Sequence, residues 1–438
     1  MGKTLKVNRY SAGPENSFFI LRIVNIVAMI VFQIGTPTLI IAKFGISGYG
    51  IWVFSLSIVC ILNLCDFGLF NSVVNDVIAL RTQGGNQRAE SLLKALWSFI
   101  LLVGFLLILL AQVFDFFVSL DANMDKLITT LAVAAILQIF IRLNEAISRA
   151  YLKVSGFAVL VVSYIFESFL LIIGIMYNLE LWGLASLLIY SRILFVFFGF
   201  YINRHHVSII SLLEIKIHDM SYFLRNNIRK GIGFLALPIG YLLLFDISNI
   251  ILGTLVSKEF VGELSLLRIS TGIIRQFSSA VLASYSPVLS EAIFSMDWKI
   301  LKKIQARMRL TLIVTISFIC ALLMISSNLI VDWYFQDAET LSVSIFVIYI
   351  FCTVIDIPWV YRATFLFSAN LHEGIAIRFL LSSFLALVVV YFLGPLLGLI
   401  GVAIAFCVQD VVLTRYAFKK SSILLHSCAI NSRGVRDE

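Results

Sequence analysis

Long apolar runs, broken by short polar segments, dominate the chain. A helix needs roughly 20 apolar residues to cross a bilayer. Twelve runs reach that length, at about 18–42, 50–79, 92–115, 126–149, 155–177, 181–203, 231–256, 264–293, 309–333, 341–368, 374–393 and 396–418. The pattern predicts an all-α polytopic transmembrane protein, a bundle of twelve helices. Pro37, Pro238, Pro287 and Pro358 fall inside spans 1, 7, 8 and 10. Each removes a backbone hydrogen bond and predicts a kink or break. Such breaks are tolerated at membrane depth where they face protein or a wet cavity. The longest polar break, 204–230, separates six spans from six. Its apolar and charged residues interleave, which suits a helix lying on the membrane surface. The expected organisation is an N-terminal lobe at 1–203, a cytoplasmic connection at 204–230, a C-terminal lobe at 231–420 and a cytoplasmic tail at 421–438.

Composition agrees. Of 438 residues, 60% are hydrophobic and 13% charged, against about 25% charged in an ordinary soluble domain. Mean hydropathy is +1.00. This excludes a water-soluble globular protein. The polar amino end, MGKTLKVNRYSAGPENS, leads into a run long enough to span, so no cleavable signal peptide is read there. With the amino end inside and residues at span ends assigned to the adjoining face, 24 of the 33 Lys and Arg residues fall on the cytoplasmic side. The opposite face holds Lys43, Lys126 and Lys258. The positive-inside rule then places both termini in the cytoplasm and accounts for the net charge of +8 without a nucleic-acid partner. Five of the six cysteines (Cys60, Cys65, Cys320, Cys352 and Cys407, but not Cys428) lie in apolar runs and none forms a CxxC pair. They read as small buried hydrophobes. The His205-His206 pair has no second ligand cluster, so neither metal nor cofactor is expected.

Six basic residues lie within spans: Arg22, Arg142, Arg192, Arg268, Arg275 and Arg362. All are arginine. One arginine at the centre of a lone spanning helix costs about 2.5–3.5 kcal/mol on insertion scales. Most must therefore face protein or water, although Arg22 and Arg362, near span ends, can also snorkel. Helical spacing groups polar residues into stripes: Arg22, Asn25, Gln33 and Thr36 on span 1; Asp246, Asn249 and Gly253 on span 7; Arg268, Thr271, Arg275 and Ser279 on span 8. Such stripes suit a cavity wall, or interhelical hydrogen bonds that hold the bundle together. Guanidinium presents a planar fork of donors to phosphate and stays charged on burial. The candidate anion-binding residues are therefore Arg22, Arg142, Arg192, Arg268 and Arg275, with Asn25 and Gln33. Arg142, Glu145 and Arg149 have the spacing of an ion-pair row. Asp66, Asp246, Asp356 and Glu167 have no near-sequence partner. Each can pair with an arginine of another helix or carry a coupling ion, H+ or Na+. Tyr190, Tyr241 and Tyr349 can stack on sugars or simply pack.

The halves echo each other faintly. IIAKFGISGYGIWV (40–53) leads from span 1 to span 2, and IILGTLVSKEFVGELSLL (250–267) from span 7 to span 8. These segments, together with LNLCDFGLFNSVVNDVIA (62–79), FDISNIILGTLVSKEFVG (245–262) and the six-plus-six layout, resemble the polysaccharide branch of the multidrug/oligosaccharidyl-lipid/polysaccharide exporter superfamily. More narrowly they resemble an O-antigen flippase. One departure is local: Glu263 and Leu264 stand where many relatives have a tyrosine. The resemblance implies a V-shaped, two-lobed, alternating-access transporter in the bacterial inner membrane. Its expected substrate is a polyprenyl-pyrophosphate-linked oligosaccharide of lipopolysaccharide or similar polysaccharide biosynthesis, and its partners include membrane lipids and polysaccharide assembly proteins.

Three other functions compete. A multidrug exporter of the same fold would take organic cations, which intramembrane arginines repel. A membrane-embedded glycosyltransferase or polymerase would need paired acids in a large outer loop, and the outer loops here are short. A purely structural membrane protein would not need polar stripes. No GxxxxGK[ST] motif is present, so an ion gradient is the expected energy source and an enzyme is not expected.

Overall fold

The computed structural model describes residues 13–66, 69–82, 86–117, 122–151, 155–204, 225, 235–294, 298–334, 341–369, 371 and 373–434. All regular structure among them is helical: α1 Gly13–Cys60, a 3-10 segment Ile61–Asp66, α2 Leu69–Thr82, α3 Asn86–Phe117, α4 Ala122–Ala150, α5 Ser155–Met176 and α6 Leu181–Asn203. The second half continues with α7 Leu235–Leu255, α8 Lys258–Phe294, α9 Trp298–Ile325, α10 Ser327–Tyr334, α11 Val343–Ser368, α12 Glu373–Leu397 and α13 Leu399–Gly434. Apart from residues 204 and 225, the connection at 204–230 lies outside the described residues.

Ten of these stretches are long and apolar enough to cross a membrane. The difference from twelve has two causes. Spans 1 and the first part of 2 run together in α1, and the 37 residues of α8, diluted by serines and by Arg268 and Arg275, are not apolar enough to qualify. Bulky apolar side chains such as Phe105, Phe169, Phe197, Ile325 and Phe384 are more than half exposed, which suits a protein whose solvent is lipid.

Two expected breaks did not form where the prolines stand. Pro37 and Pro358 sit inside helices that continue past them. The break in α1 is at Gly45 instead, with φ 69° and ψ −179°, a left-handed conformation that glycine adopts without a Cβ clash. The chain reverses there. Gln33 before the break reaches Gln276 deep in α8, whereas Tyr49 after it reaches Ser265 near the start of α8. Span 2 is itself broken by the 3-10 turn at 61–66. In α7 the turn Leu242–Ile247, just after Pro238, widens to a π-helix. The helix of span 12 continues past 418: α13 stays helical through Gly434, across most of the expected tail.

The helices pack as two lobes. In the first, α4 packs on α6, α1 on α5, and α2 and α3 on α4. Trp97 stacks on Phe200 at 4.4 Å in its core. In the second, α13 packs on α11 and α12, and α8 on α9 and α11. Between the lobes, α1 carries most of the contact, against α7 and α8. The approach is close because it uses glycine. A Cβ on Gly50 would overlap the Lys258 carbonyl, one on Gly253 would overlap the Phe54 ring, and one on Gly262 would come within 3.0 Å of the Ile46 carbonyl oxygen. These are the two segments that echo each other in sequence, now face to face.

Candidate functional site: two arginines of α8 in a recess of the second lobe

The seven residues from Arg268 to Arg275 make about two helical turns, so both side chains leave α8 on one side. They line a recess together with Phe245, Thr271, Gly272, Tyr349, Cys352, Thr353, Phe406 and Asp410. Its volume is about 40 Å³.

The two arginines are held differently. Arg268 is held through both terminal nitrogens by its own lobe, while its Nε is buried without a hydrogen bond. Its Nη1 donates to Asn249 Oδ1 at 2.7 Å and to the Phe245 carbonyl at 3.2 Å, and its Nη2 donates to Ser248 Oγ at 3.1 Å. Its guanidinium lies between the Phe245 and Phe406 rings, 5.2 and 4.9 Å from their centroids. The π-turn that precedes Ser248 is what offers it the Phe245 carbonyl, and such turns recur at functional sites. Arg268 thus braces α7 against α8 and α13.

Arg275 has one hydrogen-bonded anchor, and its guanidinium also lies 5.4 Å from the Phe245 ring centroid. Its Nε donates to Asp356 Oδ2 at 2.6 Å, with side-chain exposures of 33% and 7%. No acceptor among the described residues is paired with its two terminal Nη groups. Trp359 Nε1 donates to both Asp356 Oδ1 (2.6 Å) and Asp410 Oδ1 (3.2 Å). One indole therefore ties the two carboxylates together below the guanidinium. Asp410 was missing from the sequence reading. Its signal was available: it is the only acid in the apolar run 396–418.

The other expected site residues are dispersed. Arg192 donates through Nε to Glu167 Oε1 at 2.9 Å in the first lobe, where Glu167 is 1% exposed. Of the two roles the sequence allowed Glu167, this is the pairing with an arginine of another helix, and Asp356 pairs likewise with Arg275. Glu167 Oε2 is buried without a hydrogen bond. Arg142 is exposed and lies near the same cluster, within electrostatic reach of Tyr164 along with Glu167 and Arg192. Gln33 accepts from Gln276 Nε2 at 2.6 Å and so bridges the lobes. Asp246 is half-buried and hydrogen-bonds across the lobe interface to Ser57 and Cys60. The side chains of Arg22, Asn25, Asp66 and Arg149 lie outside what the structure describes. Of the tyrosines, Tyr349 lines the recess but spends its hydroxyl on the Leu399 carbonyl at 2.9 Å. Tyr241 packs on Phe379, and Tyr190 is exposed on α6.

A larger cavity, about 580 Å³, lies at the end where the lobes meet, lined by Phe44, Met124, Glu180, Trp182 and Lys258 among others. It holds no arginine and none of the candidate site residues. Beside it Glu259 accepts from Ser47 of the other lobe and from Ser257, and these hydrogen bonds hold its carboxyl below the ordinary glutamate range.

No protein-family profile matches the sequence, and no curated protein sequence matches it. Solved structures do. An inward-facing multidrug resistance MATE family transporter of the MOP superfamily matches with TM-score 0.70 and 14% identity over 93% of this chain and 98% of that one. A MATE protein in complex with MaL6 matches with TM-score 0.67 and 14% identity over 94% and 97%. A MOP superfamily transporter from Pyrococcus furiosus, whose binding pocket has reverse polarity, matches with TM-score 0.65 and 13% identity over 94% and 96%. The chain therefore has the two-lobed helical fold of the MATE transporters of the MOP superfamily.

Proposed function

We infer that the chain is a membrane transporter that moves an anionic, lipid-linked substrate: a flippase for a polyprenyl-pyrophosphate-linked oligosaccharide of the O-antigen type, in a bacterial inner membrane. One observation carries this reading. Arg275 is fixed by a single bond to Asp356 and keeps its terminal donors unspent toward a recess at mid-span depth. A diphosphate oxygen is the partner for which that geometry is made. The recess is too small to enclose a diphosphate, so the head group meets Arg275 at its mouth. Arg268 adds positive potential two helical turns away. The reverse pocket polarity described for the Pyrococcus furiosus protein supports the idea that this fold also serves substrates other than cations.

In this reading the two lobes rock about the α1 contact, and the amino end is cytoplasmic. Glu167 and Asp356 are committed to arginines. Asp246 at the lobe interface and Asp410 beside Asp356 are thus the acids placed to carry a coupling ion. The multidrug reading has its own support, because two of the structures of the same fold are described as multidrug transporters and Asp356 and Asp410 put two carboxylates at the site. The test is export of the surface polysaccharide in a strain that carries only the altered chain. Arg275→Ala at normal membrane abundance should reduce export at least tenfold, and Arg275→Lys should restore it in part, since charge remains and the fork is lost. Full export by Arg275→Ala, or resistance to organic cations that depends on Asp410, would favour the multidrug reading.

A further inference from the structure

Two cysteines of the second lobe face each other. Cys352 on α11 and Cys407 on α13 have their Sγ atoms 3.1 Å apart, and both are free thiols. Cys407 donates to Cys352 Sγ, and Cys352 donates onward to the Ala403 carbonyl at 3.9 Å. Cys352 also lines the recess that holds Arg268, Arg275 and Asp410. A polar molecule the size of water or peroxide fits the recess, whose 40 Å³ exceeds what one water needs.

We propose that Cys352 and Cys407 form an oxidation site, a reversible disulfide made by a small peroxide that reaches them through the arginine recess. The sulfurs need to approach by about 1 Å to reach the disulfide length of about 2.0 Å. The chemistry balances with one peroxide. The sulfur of one ionised thiol attacks a peroxide oxygen, the O–O bond breaks, and the departing hydroxide leaves as water with the proton that thiol gave up. The product is a sulfenic acid. The sulfur of the second thiol attacks the sulfenic sulfur, the S–O bond breaks, the S–S bond forms, and the hydroxyl leaves as water with the second thiol's proton. Two thiols lose two electrons and one peroxide becomes two waters.

The position gives the bond a consequence. Asp356 lies one turn beyond Cys352, Asp410 one turn beyond Cys407, and Trp359 joins the two acids. A disulfide would pin α11 to α13 one turn above the carboxylates and fix their spacing. The thiol pair stands on geometry alone. Its effect on transport rests on the function proposed above, and the experiment keeps the two apart.

The full-length protein in native membranes is treated with hydrogen peroxide, denatured, alkylated with N-ethylmaleimide and digested. The expected result is a peptide pair cross-linked through Cys352 and Cys407, reversed by dithiothreitol and absent from C352S and C407S. Oxidised wild type should also unfold several degrees higher than reduced, whereas C352S should not shift. Recovery of both cysteines fully alkylated, at peroxide levels that oxidise exposed thiols, overturns the site. A cross-link that leaves polysaccharide export unchanged retains the site and overturns its control of transport.

Discussion

At the scale of single residues, the Arg275–Asp356–Trp359–Asp410 cluster sets the terms. A buried pair costs most when only one partner is removed, because the other charge is left unpaired. Arg275→Ala should destabilise the second lobe by about 1–3 kcal/mol, because it leaves the buried Asp356 unpaired, and Asp356→Ala by less, because Arg275 is one-third exposed and can be hydrated. The double variant should cost clearly less than the sum. Thermal unfolding of the detergent-solubilised protein checks this, and strict additivity would mean that the pair is not coupled. Sequence showed the arginines by their improbability in apolar runs. It did not show which were spent. Arg192 and Arg268 look like Arg275 along the chain, and only the helix packing sets Glu167 beside the first and Asn249 and Ser248 beside the second.

At the scale of elements, the lobe contact depends on glycines. Gly50 admits the α8 backbone where any side chain would collide with the Lys258 carbonyl. Gly50→Leu should therefore force the lobes apart and lower the thermal unfolding midpoint of the detergent-solubilised protein by several degrees. An unchanged midpoint would mean that this contact is not the tight one. The same contact carries a pH dependence. Glu259 is held ionised below its ordinary range by Ser47 and Ser257. Its contribution is therefore complete above the unfolded glutamate value of about 4.3 and fades as pH falls through the lowered value. The stability gap between wild type and Glu259→Gln should hold above that value and close in more acidic solution, and a gap that is the same at every pH would contradict this role. Spans 3 to 6 and 9 to 12 were legible because apolar run length fixes a spanning helix. The Gly45 reversal, the 3-10 break and the π-turn were not. Proline marks a missing donor but not whether neighbours tolerate the loss, and at Pro37 and Pro358 they do.

At the scale of the whole molecule, twelve apolar runs and a faint internal echo were enough to anticipate a two-lobed bundle, and a solved structure of this fold matches over 93% of the chain. What the chain carries remains a matter of charge and donor geometry inside it. In the proposed mechanism Arg275 receives a diphosphate head group during transport. The most direct measurement is flipping in proteoliposomes that contain a fluorescent polyprenyl-pyrophosphate oligosaccharide, with the outer leaflet quenched by a membrane-impermeant reductant. Wild type should expose more than half of the probe to the quencher over time, Arg275→Ala should slow that exposure at least tenfold, and an organic cation should not compete. Equal flipping by both proteins, or inhibition by the cation with no dependence on Arg275, would contradict the account.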